Sequence, residues 1–126
     1  MTTFAPQLCV RDGDAGIKFY EKAFGAKLLQ RFDNPDGTVH VAELSIDNVL
    51  FHIRQETPDA RLFEPLTLRG HTVNIGLFVD DPHQVFATAI AAGATERNPV
   101  TDYEYGYRQG VLIDPFGHHW LIQKKI

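Results

Sequence analysis

Cysteine is nearly absent from this chain. Cys9 is the single one in 126 residues, so no internal disulfide can form and no CxxC pair exists to build a zinc cage. Long apolar runs are missing too; none approaches the ~20 residues that a bilayer crossing needs. Nor is there an excess of positive charge. Twelve Lys and Arg against 16 Asp and Glu give a net charge of −4, which argues against a nucleic-acid surface with its basic stripe. The opening residues, MTTFAPQ, lack the charged-then-apolar pattern of a secretory signal. No low-complexity tract follows. These absences predict a soluble, cytoplasmic protein that meets neither nucleic acid nor membrane. Its 44% hydrophobic content suffices for one packed domain, or for two small halves sharing a core.

What is present occurs twice. In DGDAGIKFYEKAFG, Asp12 or Asp14 caps a helix, Ile17, Tyr20 and Phe24 recur at helical spacing, and Gly25 suits a left-handed stop. In DDPHQVFATAIAAG, Asp81 caps, Pro82 takes the first helical position, Val85, Phe86, Ala89 and Ile90 form the stripe to be buried, and Gly93 ends it. A short strand precedes each helix (PQLCV and NIGLFV) and three follow. In the first half these are AKLLQRF, TVHVAELSI and NVLFHIR, joined by the turns NPDG and DN; in the second they are ATERNPV, YRQGVLI and HHWLIQK. Asp81 lies 69 residues after Asp12, and the same step carries Val10 to Val79, Gly37 to Gly106 and Asn48 to Gly117. An offset shared by cap, strand end and turn predicts a duplicated βαβββ unit. The fold class is therefore α+β: one domain over 1–126, with modules 4–55 and 71–126 joined by an irregular linker, 56–70, anchored by Phe63, Leu66 and Leu68.

Strand alternation sorts the side chains. Leu8, Val10, Val49, Phe51, Ile53, Val73, Ile75, Leu77, Val79, Trp120 and Ile122 share an apolar face expected to lie under the helices. Gln7, Cys9, His52, Arg54, Asn74, Phe78, His119, Leu121 and Gln123 share the other, with Val39, Val41, Glu43 and Ser45 alternating onto it from the third strand. A mixed face is the default for a solvated antiparallel sheet. It is also what lines a small-ligand site, and duplication favours that reading, with two curved sheets forming a cup. DPFG, Asp114 to Gly117, places Pro second and Gly fourth, as in a type I turn. In the strand after it His118 and His119 point apart, so this pair is no chelate.

The stretches AGIKFYEKAFGAK, AELSIDN, AAGAT and above all YGYRQGVLIDPFGHHW resemble the vicinal oxygen chelate superfamily: the glyoxalase, bleomycin-resistance and extradiol dioxygenase group, and within it the PhnB-like, glyoxalase-like small proteins. The resemblance spans nearly the whole chain. It implies paired βαβββ modules forming a cup with helices on the outer face, a homodimer, and a linker that lets modules pair within a chain or exchange between chains. In glyoxalase-type members a divalent metal takes one ligand from each of four strands, which implies Ala5, His52, Asn74 and Leu121 here. Ala5 and Leu121 have no donor atom and Asn74 offers a neutral amide oxygen, so His52 stands as a weak candidate ligand. Catalytic metal sites commonly take three protein ligands. No cofactor is therefore expected, a divalent metal is disfavoured, and metal-assisted isomerisation and ring cleavage are disfavoured with it.

The remaining candidates each carry two readings. His52 is a general base or ligand-orienting donor, or a histidine without a role. Glu43 is an acid or base, or a partner for His52 or Arg54. Arg54 clamps an anionic group or sits in solvent at the rim. Tyr103, Tyr105 and Tyr107 stack on a flat ligand as a lid, or cover the core edge or a dimer seam, with Arg108 fixing their loop. Gln7, Asn74 and His119 complete the expected ligand-binding set. Cys9 is expected to be a buried, inert thiol. The leading expectation is a homodimer that binds a small organic molecule without a tightly held catalytic metal. The alternative is a glyoxalase-like lyase or isomerase using His52 and Glu43 with a weakly held metal.

Overall fold

The computed structural model of the chain describes residues 1–126. Strand β1 (Gln7–Val10) runs into helix α1 (Gly13–Phe24). The Asp12 carboxylate accepts from the Ala15 amide at 3.2 Å, and Gly25 closes the helix at φ +65°. Strands β2 (Lys27–Asp33), β3 (Val39–Ile46) and β4 (Val49–Gln55) complete a sheet of order β1-β4-β3-β2, in which β1 and β4 are parallel and the other pairs antiparallel. The second half repeats this plan. β5 (Asn74–Phe78) leads to a helix, Pro82–Ala92, capped by Asp81 onto the Gln84 amide. β6 (Thr95–Tyr103), β7 (Tyr107–Ile113) and β8 (His119–Lys125) follow, in the order β5-β8-β7-β6. The turn glycines agree: Gly37 and Gly106 stand at φ +88° and +89°, and each donates its N–H to the carbonyl three residues back. No helix is long and apolar enough to cross a membrane.

The connection between the modules differs from the irregular linker expected at 56–70. It holds a 3-10 turn, Pro58–Ala60, and a one-turn helix, α2 (Pro65–Leu68), which makes Pro82–Ala92 helix α3. Leu66 and Leu68 do not anchor it, being 52% and 63% exposed. Glu64 does. Its buried carboxylate takes the Arg11 amide and guanidinium, both at 2.8 Å, while Glu56 receives the Glu64 amide and the Thr67 hydroxyl. A short segment with little apolar surface is held in this case by charge-assisted hydrogen bonds.

Both helices lie on the apolar faces of their sheets and pack against each other, so the modules share one core. Tyr20 and Phe24 of α1 reach Trp120 of β8 at 5.7 and 4.7 Å between ring centres, and Phe51 meets the same indole at 6.4 Å. At the centre is Asp114, the first residue of the DPFG turn. Its buried side chain accepts from the Tyr20 hydroxyl, the Trp120 indole and the Phe116 and His118 amides. Burial, reinforced by that carboxylate, holds the Tyr20 phenol protonated far above its usual range.

One residue departs from strict alternation, and two are exposed where burial was expected. Asp33 pairs with Val39 but Phe32 with Val41, a bulge at His40 that turns Val39 to the helix side. There it is fully buried, and a Cβ on Gly13 would come within 2.3 Å of its own. Val49, the first residue of β4, and Val73, just before β5, belong to the apolar face but stay 63% and 65% exposed.

Candidate functional site

Because the helix-bearing faces meet in the core, the opposite face of each sheet is open. Register brings Gln30, Glu43, His52 and Gln7 into one row across the first sheet, and Phe32, Val41, Arg54 and Cys9 into the next. Four of the expected site residues, Gln7, Glu43, His52 and Arg54, are thus brought together by strands β1, β3 and β4. His52 Nε2 lies 3.9 Å from Glu43 Oε1, with side chains 27% and 35% exposed. That is an ion-pair distance when the imidazole is protonated, and too long for a hydrogen bond, so both groups retain bonding capacity toward a ligand. Cys9 is buried beside Arg54, and burial, reinforced by Glu56 and Glu64, pushes its thiol up to about 12. It stays a neutral thiol at physiological pH and is no nucleophile.

The second sheet carries different chemistry on the matching face. Asn74 is in register with His119, Gly76 with Leu121, and Phe78 with Gln123 and Gln109. Gln109 donates to Gln123 at 2.5 Å and receives the Tyr105 hydroxyl at 3.3 Å. Tyr103, Tyr105, Tyr107 and Phe78 form a chain of rings, spaced 5.2, 5.7 and 6.1 Å. Tyr105 and Phe78 are 64% and 57% exposed, and the Lys125 ammonium stands 5.9 Å over the Phe78 ring. Arg108 is not brought to this face. Alternation turns it to the other side of β7, where Asp102 takes its guanidinium with two hydrogen bonds of 2.7 and 3.1 Å. It braces the hairpin that carries the tyrosines.

Asn74 and His119 form a group of their own with His71, whose ring stacks on His119 at 3.6 Å and whose Nε2 donates to Asn74 Oδ1 at 3.0 Å. His119 Nδ1 donates to the Gly117 carbonyl, and burial first, then the charges of His71 and Arg97, lowers its pKa. His118 goes the other way, donating Nε2 to the Cys9 carbonyl at 2.7 Å.

The four positions that would ligate a metal do not form a site within this chain. His52 and Glu43 are two donors, the Asn74 oxygen is engaged by His71, and no three His, Cys, Asp or Glu side chains converge. His71, Gln109 and Asp114 escaped sequence reasoning; the alternation of YRQGVLI is the signal that could have found Gln109, and nothing local marked the stacking of His71 or the burial of Asp114.

A family model described as the Glyoxalase/Bleomycin resistance protein/Dioxygenase superfamily matches residues 3–122. An uncharacterised protein of Mycobacterium bovis is 37% identical over 125 residues, covering 97% of this chain and 82% of its own. The crystal structure of TioX from Micromonospora sp. ML1 superposes with TM-score 0.76 at 26% identity, covering 99% of this chain and 100% of its own. A bleomycin-binding protein complexed with bleomycin superposes with TM-score 0.71 at 17% identity, over 100% of both chains, a likeness of fold.

Proposed function

Because this chain belongs to the glyoxalase/bleomycin resistance protein/dioxygenase superfamily, we propose that it is a homodimer binding a small organic molecule on the face of Gln7, Glu43, His52 and Arg54, without a tightly held catalytic metal. The observation that carries this reading is the convergence of those four side chains on one open sheet face, where the matched positions of the second module hold Gly76, Val111, Leu121 and Gln123 and no charge. A fold hosts many chemistries, so the site and not the family must carry the function. In that light it matters that a bleomycin-binding protein holds its ligand on this same fold.

What the core leaves uncovered supports the dimer. One chain offers a charged face and an aromatic face that make no hydrogen bond, ion pair or ring contact with each other. A two-fold pairing sets the charged face of each copy against the aromatic face of the other, closing two equivalent cups. A cleft of about 670 Å³ beside the outer edges of β1 and β5, lined by Phe4, Leu62, Leu68 and Val73, provides apolar surface for that seam.

Two measurements test the reading. Light scattering on the purified protein should give twice the chain mass. A thermal-shift screen with small aromatic, antibiotic and thiol-adduct compounds should find a stabiliser whose effect His52→Ala removes, since a ligand that binds the folded state alone raises stability. A monomer with no stabiliser overturns it. The second reading, a glyoxalase-like lyase or isomerase, draws on the 3.9 Å approach of Glu43 to His52, a spacing that suits an acid and base sharing one substrate. A stoichiometric divalent ion in protein purified without chelators, released by His52→Ala, decides for it.

A further inference from the structure

The first sheet's open face holds a charge that no group of the chain answers. Arg54 Nε is buried without a hydrogen-bond partner, alone among the buried side-chain nitrogens and oxygens. Its guanidinium takes no part in the ion pairs of the chain. No carboxylate of this region pairs with it: Glu64 holds Arg11, Glu56 receives the Glu64 amide and the Thr67 hydroxyl, and Glu43, one row away, stands nearest His52 at 3.9 Å. A buried cationic donor left unmet is costly, more so than a neutral one. Buried polar groups in native proteins nearly always find a partner. Beside Arg54 in its row stand Val41 and then Phe32, an apolar strip that is half-exposed, and the adjacent row offers Gln7 and His52 as further donors.

We infer that the molecule this face takes is an organic oxyanion, a carboxylate or phosphonate carried on an apolar body. The oxyanion accepts from the terminal N–H groups of the Arg54 guanidinium, which reach solvent and have no partner within the chain, while Nε stays enclosed behind them. The apolar body lies along Val41 and Phe32. Glu43 stands one row away beside His52, so the anion meets the guanidinium before it meets the carboxylate. This rests on the reading of the face as a ligand site, and adds to it the charge and the anchor of the ligand.

The test uses benzoate, phenylphosphonate and neutral benzamide on the intact, nitrogen-15-labelled protein, followed at the Arg54 Nε–H signal and the β4 amides. Benzoate or phenylphosphonate, the pair distinguishing the two oxyanion sources, should move the Arg54 signal downfield and bind about tenfold or more tightly than benzamide, roughly what one charge-assisted pair adds. Arg54→Lys should weaken the anion and Arg54→Met abolish its binding, while the circular dichroism spectrum stays unchanged. Equal binding of benzamide and benzoate, or anion binding that survives Arg54→Met, overturns the inference and leaves the ligand site standing. No response at Arg54 to either anion overturns it as well, and a neutral compound that still stabilises through His52 then keeps the broader reading alive. An Arg54 signal that moves on dilution without ligand shows a second copy supplying the anion, and overturns it too.

Discussion

On the helix-bearing side of the two sheets, a step of 69 residues exchanges like for like: Leu8 and Leu77, Val10 and Val79, Phe51 and Trp120, Ile53 and Ile122. On the open side the same step exchanges Gln7 for Gly76, Cys9 for Phe78, His52 for Leu121 and Arg54 for Gln123. The two modules thus agree where they must pack and differ in chemical class where they need not. Interiors are close-packed and feel a change of one methylene, so both helix faces stay apolar whatever the protein does. An open face has no such constraint and is free to carry chemistry. One copy of the duplicated unit has taken charge and hydrogen-bonding groups there, and the other has taken rings and amides.

The most damaging way to break this comparison is to attack what the two sheets share. Asp114→Ala leaves the Tyr20 hydroxyl, the Trp120 indole and two backbone amides without their buried acceptor. Stranded buried donors cost roughly 1–3 kcal/mol each, and partial relaxation brings the expected total to about 3–5 kcal/mol. Urea unfolding followed by Trp120 fluorescence should show one transition at a much lower midpoint. Two separate transitions would mean that the modules do not share a core.

A gentler experiment sharpens the contrast between the open faces. His52→Leu gives the first sheet the residue its twin carries at Leu121. It should cut affinity for any stabilising ligand about tenfold or more, the ~1.4 kcal/mol that one lost polar contact removes. Folding stability should change by less than about 1 kcal/mol, because the side chain is partly exposed. Leu121→His should leave affinity within about threefold. If both variants weaken the ligand alike, the faces are equivalent and the assignment of chemistry to the first sheet fails. The measurement is a melting-point titration of wild type and both variants with the same compound.

The shared architecture was legible because it depends on local signals. Asp12 and Asp81 cap, Gly25 and Gly93 stop, Gly37 and Gly106 turn, and none of these needs distant information. The grouping of Gln7, Glu43, His52 and Arg54 followed from alternation alone. Alternation failed at Val39, where a bulge at His40 breaks the period. Asp114 reads locally as a turn-former, and its burial depends on Tyr20, 94 residues earlier. Glu64 sits between two prolines in what reads as a loop, and its buried pairing with Arg11 crosses 53 positions. The unmet Arg54 Nε is a property of everything around it, and no pattern along β4 could announce it.

A smaller effect is expected on the second sheet's open face. A Cβ at Gly76 would meet Gln123 Nε2 at 2.7 Å, so Gly76→Ala must displace that amide and break its 2.5 Å bond with Gln109. The displaced atom is the end of a flexible side chain, and the cost should be about 0.5–1.5 kcal/mol, one neutral hydrogen bond. Tyr105, which leans on Gln109, should gain mobility. A chemical-denaturation midpoint and the Tyr105 ring signals together report both consequences. An unchanged midpoint with unchanged rings would show that the amide pair does not position the tyrosines.

The weakest expected effect is a pH dependence that the second sheet has and a substitution can remove. Burial lowers the His119 pKa below its ordinary value, with His71 and Arg97 adding to the shift and the hydrogen bond to the Gly117 carbonyl opposing it. A base whose folded value is depressed takes up its proton more readily in the unfolded chain, so stability rises with pH across the interval between the two values. The contribution of His119 is therefore complete above about pH 6.5, where the unfolded imidazole is neutral, and it is lost as the pH falls from there through the folded value. Chemical denaturation at a series of pH values should show stability declining below pH 6.5 with a slope that His119→Gln makes shallower. A nuclear magnetic resonance titration of the His119 ring should place its midpoint below the unfolded value. A midpoint at or above that value would mean that the stacked pair is open to water, and that the second sheet's face is less enclosed at its Asn74 end than the ring stack requires.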